Sequence, residues 1–261
     1  MCRSLYSFTL ALLLVAASWS YAADIAIVDY ADEWNQQACV GSLLDDLGKG
    51  YDDITDQVEN GDLNLDGYKI LMIGSFATNN PALHALMDAN AGEIEGFLAR
   101  GGVVIELTQA DQNQANIDWL PGDLSAARTD TDYPGIVILE DAHPIFHTPN
   151  ELTEDDLSNW GISSGGWSTA WETFGAHSGF TVLAARDANG TSPCVLEAPY
   201  KKGRILLLSI ALDKKHTLGT TPASLENSML MMENILAEFT AAVEARAKSA
   251  TTWGRIKVIY K

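Results

Sequence analysis

The chain has 261 residues, and its 35 acidic and 16 basic side chains give it a net charge of −19 at pH 7. A surface this acidic repels phosphate backbones, so the composition argues against a nucleic-acid partner. No stretch after the N-terminal region reaches roughly eighteen consecutive apolar residues, so we predict no transmembrane helix there. The remaining length suits one large α/β domain with an ample core.

The first 22 residues are typical of a secretory signal peptide. Arg3 precedes an apolar run over residues 8–17, and small residues follow at Ser20 and Ala22. We predict cleavage after Ala22 or Ala23, and therefore a secreted or periplasmic mature protein. The alternative interpretation is a short anchor that is never cut.

Strands and helices alternate through the first half of the chain. Apolar runs of strand length lie at 23–32, 68–75 and 102–107. Helical periodicity predicts one helix that ends at Gly48 and a second helix over 81–100. This order of elements predicts a mostly parallel sheet with helices on both faces.

The second half is less regular at first and then strongly patterned. Residues 108–178 are rich in turns, whereas "GFTVLAAR" and "SPCVLEAPYKKGRILLLSIAL" read as strands, the last two joined at Lys201-Lys202-Gly203. A long helix begins at Thr221-Pro222, and after it residues 248–261 form a small basic tail, for which disorder is the default. The predicted apolar face of this helix comprises Leu225, Met229, Met232, Ile235, Leu236, Phe239 and Val243.

Five segments carry a resemblance to a known fold. They are "LDGYKILMIGS", "IEGFLARGGVVIEL", "HPIFHTPNELTEDDLSNW", "PYKKGRILLLSIAL" and "ENSMLMMENILAEF". In this order they resemble the class I glutamine amidotransferase-like fold, in particular its ThuA-like and β-galactosidase trimerisation-domain-like branches. The resemblance implies a single flavodoxin-like α/β domain over residues 23–247, with a late antiparallel strand pair.

The chain departs from this family where the family carries its chemistry. The family's nucleophile is a cysteine at a sharp strand-to-helix turn, but "VVIELTQADQNQ" has only the hydroxyl of Thr108 there. The family's catalytic His and Glu should follow the late strand, yet His216 comes several residues too late and has no Pro-Glu beside it. We therefore do not expect glutamine hydrolysis, and a non-catalytic role is favoured.

Acidic and histidine side chains leave a second interpretation open. Glu106 ends a predicted buried strand, where ligands of open α/β folds collect, and Asp111 follows it. With His143 or His177 these carboxylates could form a hydrolytic site of unknown type. The simpler interpretation is that Glu106 caps neighbouring backbone N–H groups.

The stretch "HPIFHTPNELTEDDLSNW" invites a metal interpretation that its sequence does not favour. Pro144 disfavours a regular helix through His143 and His147, so their spacing does not place them on one helical face. Thr153 and the acids after it are typical of a helix N-cap and an acidic first turn. We predict neither a metal site nor a cofactor.

Three tryptophans crowd into one Gly- and Ser-rich segment. Trp160, Trp167 and Trp171 could stack on sugar faces, or they could simply cover the edge of the sheet. The cysteines of the mature chain, Cys39 and Cys194, could form a disulfide or remain two buried thiols.

These observations favour one functional hypothesis over two others. We expect an exported, non-catalytic binding or assembly module with a carbohydrate or protein partner, which could form a homo-oligomer. The rivals are the hydrolase described above and a purely structural interaction protein.

Overall fold

The computed structural model describes residues 23–32, 36–77, 81–107, 117–127, 135–161, 169–170 and 172–259. Its strands are β1 (Ile25–Val28), β2 (Asp52–Asp53), β3 (Ile70–Ile73), β4 (Val103–Glu106), β5 (Asp123–Ala127), β6 (Val137–Ile138), β7 (Thr173–Ser178), β8 (Thr181–Ala185), β9 (Pro193–Tyr200) and β10 (Gly203–Leu208). Its helices are α1 (Val40–Asp46), α2 (Thr55–Asn60), α3 (Pro81–Ala89), α4 (Ala91–Arg100), α5 (Leu212–Leu218) and α6 (Pro222–Ile259).

Within the described residues, eight strands form one sheet in the order β2-β1-β3-β4-β10-β9-β8-β6, and β5 pairs with β7 in a separate ribbon. The strands from β2 to β10 in this order run parallel, whereas β9, β8 and β6 pair antiparallel. The predicted α/β fold with a mostly parallel sheet and a late antiparallel strand pair is confirmed.

The parallel strands are continuous apolar runs because both faces of the sheet are covered. All four residues of β1, β3 and β4 are buried. Alternate side chains enter two separate cores: Ile70 and Met72 face α1 and α6, whereas Leu71 and Ile73 face α2, α3 and α4. The sheet therefore separates the molecule into two layers that share no side-chain core.

The helix predicted over 81–100 is two helices in the structure. Asn90 separates α3 from α4, and its side-chain amide donates to the carbonyl oxygen of Leu86 at 2.8 Å. The backbone N–H of Asn90 donates to the same carbonyl at 3.1 Å, so Asn90 closes the last turn of α3 and is also the N-cap position of α4. The predicted end at Gly101 is confirmed, with φ at +108°.

Helix α6 differs from its prediction at both ends. Leu225 is 43% exposed, because the buried stripe of the first turns runs through Ser224 and Ser228 instead. The Ser224 hydroxyl donates to the carbonyl of Thr221, just before the helix, and the Ser228 hydroxyl donates to that of Ser224, so both buried hydroxyls have an acceptor. At the other end the helix continues to Ile259, so it includes residues 248–259 of the predicted tail.

None of the helices in the described part of the chain combines the length and apolar character that crossing a bilayer requires.

Candidate functional site

The carboxyl edge of the parallel strands is the place where this topology can build a site. Helix α1 follows β1 and packs in the core beside α6, whereas α3 follows β3 and packs on the opposite face. Chains that leave adjacent strands toward opposite faces open a crevice at the strand ends. Asp29 and Ser75 follow β1 and β3 at this point, and Asp213 lies in the first turn of α5 after β10.

Asp29 binds the segment that returns from β1 into helix α1. Its Oδ1 accepts from the backbone N–H of Cys39 at 3.0 Å, and its Oδ2 accepts from that of Gly41 at 2.9 Å. Its own backbone N–H donates to the hydroxyl of Thr55 at 2.9 Å. Since the first N–H groups of a helix have no partner within the helix, this carboxylate caps α1 from a distance in sequence.

Asp213 joins the end of β3 to the start of α5. The backbone N–H of Ser75 donates to its Oδ2 at 3.2 Å, and the Ser75 hydroxyl donates to its Oδ1. Both residues are fully buried, and the next residue, Phe76, has φ at +66°. Burial raises the pKa of the Asp213 carboxyl, although Lys214 and the Ser75 hydrogen bond act in the opposite direction.

Lys214 is a fully buried cation that holds the chain after β1. Its Nζ lies 2.9 Å from Oδ2 of Asp32 and also donates to the backbone carbonyl of Gln37. Burial by itself lowers the pKa of Lys214, but the acidic groups of Asp213, Cys39 and Asp32 outweigh it and raise that pKa above its ordinary value. The ammonium therefore stays charged at neutral pH.

The two cysteines are buried free thiols, so the structure decides between the two predicted alternatives. Burial raises the pKa of the Cys39 thiol to about 11 and that of the Cys194 thiol to about 12. Both thiols are protonated at neutral pH, and a protonated thiol is a poor nucleophile.

Glu106 and His143 lie on opposite faces of the sheet. Glu106 is fully buried and is in register with Ile73 and Leu207, whose side chains pack in the α3–α4 core. His143 contacts Glu197, which is in register with Leu206 on the α6 face. The sheet therefore prevents direct acid–base cooperation between Glu106 and His143, and Asp111 lies outside the described residues.

His143 belongs to a charged network between the sheet and α6. Its Nε2 lies 2.8 Å from Oε2 of Glu197, and the Arg204 guanidinium bridges Oε1 of Glu197 and, at 2.6 Å, Oε1 of Glu238. The guanidinium also lies over the ring of Phe239, 4.3 Å from its centroid. Burial raises the pKa of Glu197, but hydrogen bonds from His143 and Arg204 lower it below its ordinary value.

The two histidines of "HPIFH" diverge, as the sequence predicts. Nδ1 of His147 lies 2.8 Å from Glu151, and its other ring nitrogen contacts the backbone carbonyl of Asp141. The hydrogen bond to that carbonyl raises the pKa of His147, and its bond with Glu151 acts in the same direction. In the described part of the chain, no group of His, Cys, Asp or Glu side chains is arranged to hold a metal ion.

The predicted N-cap after these histidines is present, but the helix is not. Thr153 and Asp156 bond reciprocally, with the Thr153 hydroxyl donating to Asp156 at 2.7 Å and the Asp156 N–H donating back at 3.4 Å. Only one turn follows, because Ser158 pairs with Gly135 and Asn159 adopts φ at +61°.

The structure separates the remaining predicted site residues. Trp160 is fully buried in the α6 core, where its indole N–H donates to the carbonyl of Asp156 at 2.8 Å, so its ring is not available to a sugar. His177 lies in the β5–β7 ribbon, and its Nδ1 lies 2.7 Å from the carbonyl oxygen of Gly175. Trp167 and Trp171 lie outside the described residues.

Sequence reasoning missed the residues that occupy the carboxyl edge. Asp29 and Asp32 belong to "DYAD" directly after the first strand, and Asp213 and Lys214 belong to "LDKK" after the last one. Charged residues directly after an apolar strand were the available signal, because strand ends converge at one edge of a parallel sheet. The second stretch lacks the family's His–Glu pair, and the charged residues that it does contain lie at the same edge.

The carboxyl edge is therefore held by bonds within the protein. Asp29 binds the start of α1, Asp213 binds the loop after β3, and Lys214 binds the loop after β1. Such an arrangement fixes the loops from which a binding surface is built, and it places no charged pair of this group at a solvent-open position.

No family model matches the sequence, and no curated protein matches it. Among solved structures, a protein assigned as a GMP synthase component from Thermoplasma acidophilum aligns with a TM-score of 0.54 and 12% identity, covering 85% of this chain and 96% of that one. A ThuA-like protein from Bacteroides uniformis aligns at 0.47 and 12%, covering 84% and 92%. A β-galactosidase from Rahnella sp. R3 aligns at 0.47 and 14%, covering 84% of this chain but 31% of the enzyme. The alignment with a TM-score of 0.54, at 12% identity, shows the fold alone, and this is the glutamine amidotransferase-like α/β fold that the sequence predicts.

Proposed function

We propose that this chain is an exported, non-catalytic binding or assembly module with a glutamine amidotransferase-like fold. The observation that carries the proposal is the carboxyl edge, where Asp29, Asp213 and Lys214 each bind groups of the protein itself. An enzyme of this architecture needs a nucleophile or a base that reaches substrate at this edge. Here these three side chains bind the loops instead.

The nucleophiles at this edge also support the proposal. The Ser75 hydroxyl donates to Asp213 and is fully buried, so substrate cannot reach it without opening the loop. The thiol of Cys39 is buried and protonated at neutral pH. Leu107, which follows β4 where the family has its cysteine turn, is an apolar core residue.

Hydrolase assays test the non-catalytic part of the proposal. We expect the purified protein to release no ammonia from glutamine and no p-nitrophenol from its acyl esters or glycosides above the blank. A Ser75→Ala variant serves as the matched control. Turnover by the wild type that the variant loses would overturn the proposal, because it would show that Ser75 reaches substrate.

The binding partner in this proposal is a carbohydrate, and the support for it is the sequence around Trp167 and Trp171. Flat indole rings on polar loops stack on sugar faces. We expect calorimetric titration with polysaccharides to show saturable binding that Trp167→Ala and Trp171→Ala weaken, while Tyr200→Ala, a change at the β9–β10 turn, leaves it unchanged. If titrations with common polysaccharides show no binding, the carbohydrate part of the proposal is wrong and the partner is a protein. Light scattering would then detect an oligomer or a complex.

Export is tested separately. The proposal expects the mature protein outside the cytoplasm to begin at Ala23 or Asp24, and intact-mass measurement of the exported fraction identifies this residue. A protein that keeps its first 22 residues and stays with the membrane would contradict export without affecting the binding function.

A further inference from the structure

A cavity lies at the amino edge of the sheet, opposite the carboxyl edge. Its volume is about 460 Å³, within the range of small-molecule sites. It lies between the starts of β1 and β3, the chain after α1, and the outer part of α6. Its lining residues include Ile25, Ile70, Leu236, Lys49, Lys69 and Thr240.

The cavity combines an apolar wall with cationic groups. Ile25 and Ile70 are in register on adjacent strands, and with Leu236 of α6 they pack in one core, so the wall is held by the framework of the fold. Apolar walls with a few polar groups are typical of sites for small organic ligands.

One positive charge in this cavity is balanced and the other is not. Nζ of Lys69 lies 2.8 Å from the Asp24 carboxylate, and the backbone N–H groups of Lys69 and Ile70 both donate to the Asp24 carbonyl, at 2.8 and 3.1 Å. Lys49 makes no ion pair with any residue that the structure describes. Among the lining side chains, Lys49 and Lys69 against Asp24 leave a net charge of +1, which stands out in a chain with 35 acidic against 16 basic residues.

We propose that this cavity binds a small organic monocarboxylate. Lys49 binds the carboxylate group, the ion pair of Lys69 and Asp24 forms the polar rim, and Ile25, Ile70 and Leu236 contact the apolar body of the ligand. The lining side chains carry a net positive charge, which favours an anionic ligand, and the volume exceeds what a bare inorganic anion fills, so the ligand needs an apolar body as well. This site is independent of the function proposed for the carboxyl edge.

The test is calorimetric titration of the full-length protein with hexanoate at pH 7, with its neutral isostere hexanamide and with inorganic phosphate. We expect saturable binding of one hexanoate. We expect affinity about tenfold weaker for hexanamide, and about tenfold weaker for hexanoate in a Lys49→Met variant, as for one charge-assisted hydrogen bond. Lys201→Met, which also removes one exposed lysine but far along the sheet, should bind hexanoate like the wild type.

Backbone amide shifts provide a second readout that does not depend on the variants. Hexanoate should shift the amide signals of Gly50 and Ile70, which lie on the cavity wall. The proposal is overturned if hexanoate does not saturate, if hexanamide or Lys49→Met matches wild-type binding of hexanoate, or if phosphate binds more tightly than hexanoate. Shifts confined to other parts of the molecule would also overturn it.

Discussion

Two charged clusters stabilise this protein in different ways. At the carboxyl edge, Lys214 and Asp32 are both almost fully buried and join loops to helix α5. On the α6 face, Arg204 and Glu197 keep 15% and 12% of their side chains exposed and join the sheet to a helix. The first cluster binds segments of the chain that have little regular structure, and the second binds elements that are already regular.

This difference decides what each cluster contributes. Loops at the carboxyl edge have no strand or helix bonds of their own, so the buried pair there determines their conformation. On the α6 face the charges are surrounded by an apolar core that already holds the helix against the sheet. The charged network there only helps to orient α6 relative to the sheet. We therefore expect loss of a charge to cost more at the carboxyl edge than on the α6 face.

The largest effect is expected from Lys214→Met. This change takes the Lys214 ammonium away from the buried Asp32 carboxylate, and breaking a buried pair in this way costs about 3–5 kcal/mol of the free energy of unfolding. Urea denaturation followed by circular dichroism measures this loss. In the double variant Lys214→Met/Asp32→Asn part of the stability should return, and a single variant as stable as the wild type would contradict the role given to this pair.

A smaller effect is expected from Arg204→Met. The methionine keeps the contact with Phe239, and Glu197 keeps its bond with His143, so we expect a loss of about 2 kcal/mol. The same urea titration measures it. A loss equal to or greater than that of Lys214→Met would reverse the comparison between the two clusters.

The two clusters should also respond to pH in opposite directions. The pKa of Glu197 is lowered by folding, so its contribution to stability is present above the unfolded pKa and is lost as the pH falls through the folded one. The pKa of Asp213 is raised, so its contribution is present below the unfolded pKa and is lost as the pH rises through the folded one.

Unfolding midpoints between roughly pH 3 and 7 test this contrast. The deficit of Glu197→Gln relative to the wild type should shrink as the pH falls. Asp213→Asn should become more favourable relative to the wild type as the pH rises, because the amide mimics the protonated acid and can still bond Ser75. Parallel slopes for the two variants would show that their carboxylates do not titrate as described.

The smallest effect is expected from Lys201→Met. Lys201 pairs with Glu95 at 2.7 Å on the surface, where water and salt screen the attraction. Its urea midpoint should match that of the wild type, which provides the baseline for the buried pairs. A clear shift in this midpoint would mean that surface charge, and not burial, explains the losses in the other variants.

Strong local patterns predicted most of the fold. The apolar runs of β1, β3 and β4, the turn at Lys201-Lys202-Gly203 and the start of α6 at Pro222 are all where the sequence places them. These features depend on contacts within a few residues or on burial of both sheet faces. Both leave a local pattern of apolar residues that can be read from the sequence.

The site was predicted less well because its members are far apart in the chain. Ser75 and Asp213 are separated by 138 residues and meet only because β3 and β10 end at the same edge of the sheet. Conversely, Glu106 and His143 suit an acid–base pair by residue type, but the sheet lies between them. The residue type determines which chemistry a side chain can perform, whereas the strand register determines which side chains lie close together.

By itself, the sequence determined the α/β class, the order of the strands along the chain and the absence of a cysteine between Val103 and Gln114, because these depend on local periodicity and residue identity. Only the tertiary structure decided that Trp160 is a core residue, that Cys39 and Cys194 are separate thiols, and that Lys214 is buried against Asp32. Burial and pairing depend on which elements the sheet brings together, and that information lies in contacts between distant parts of the chain.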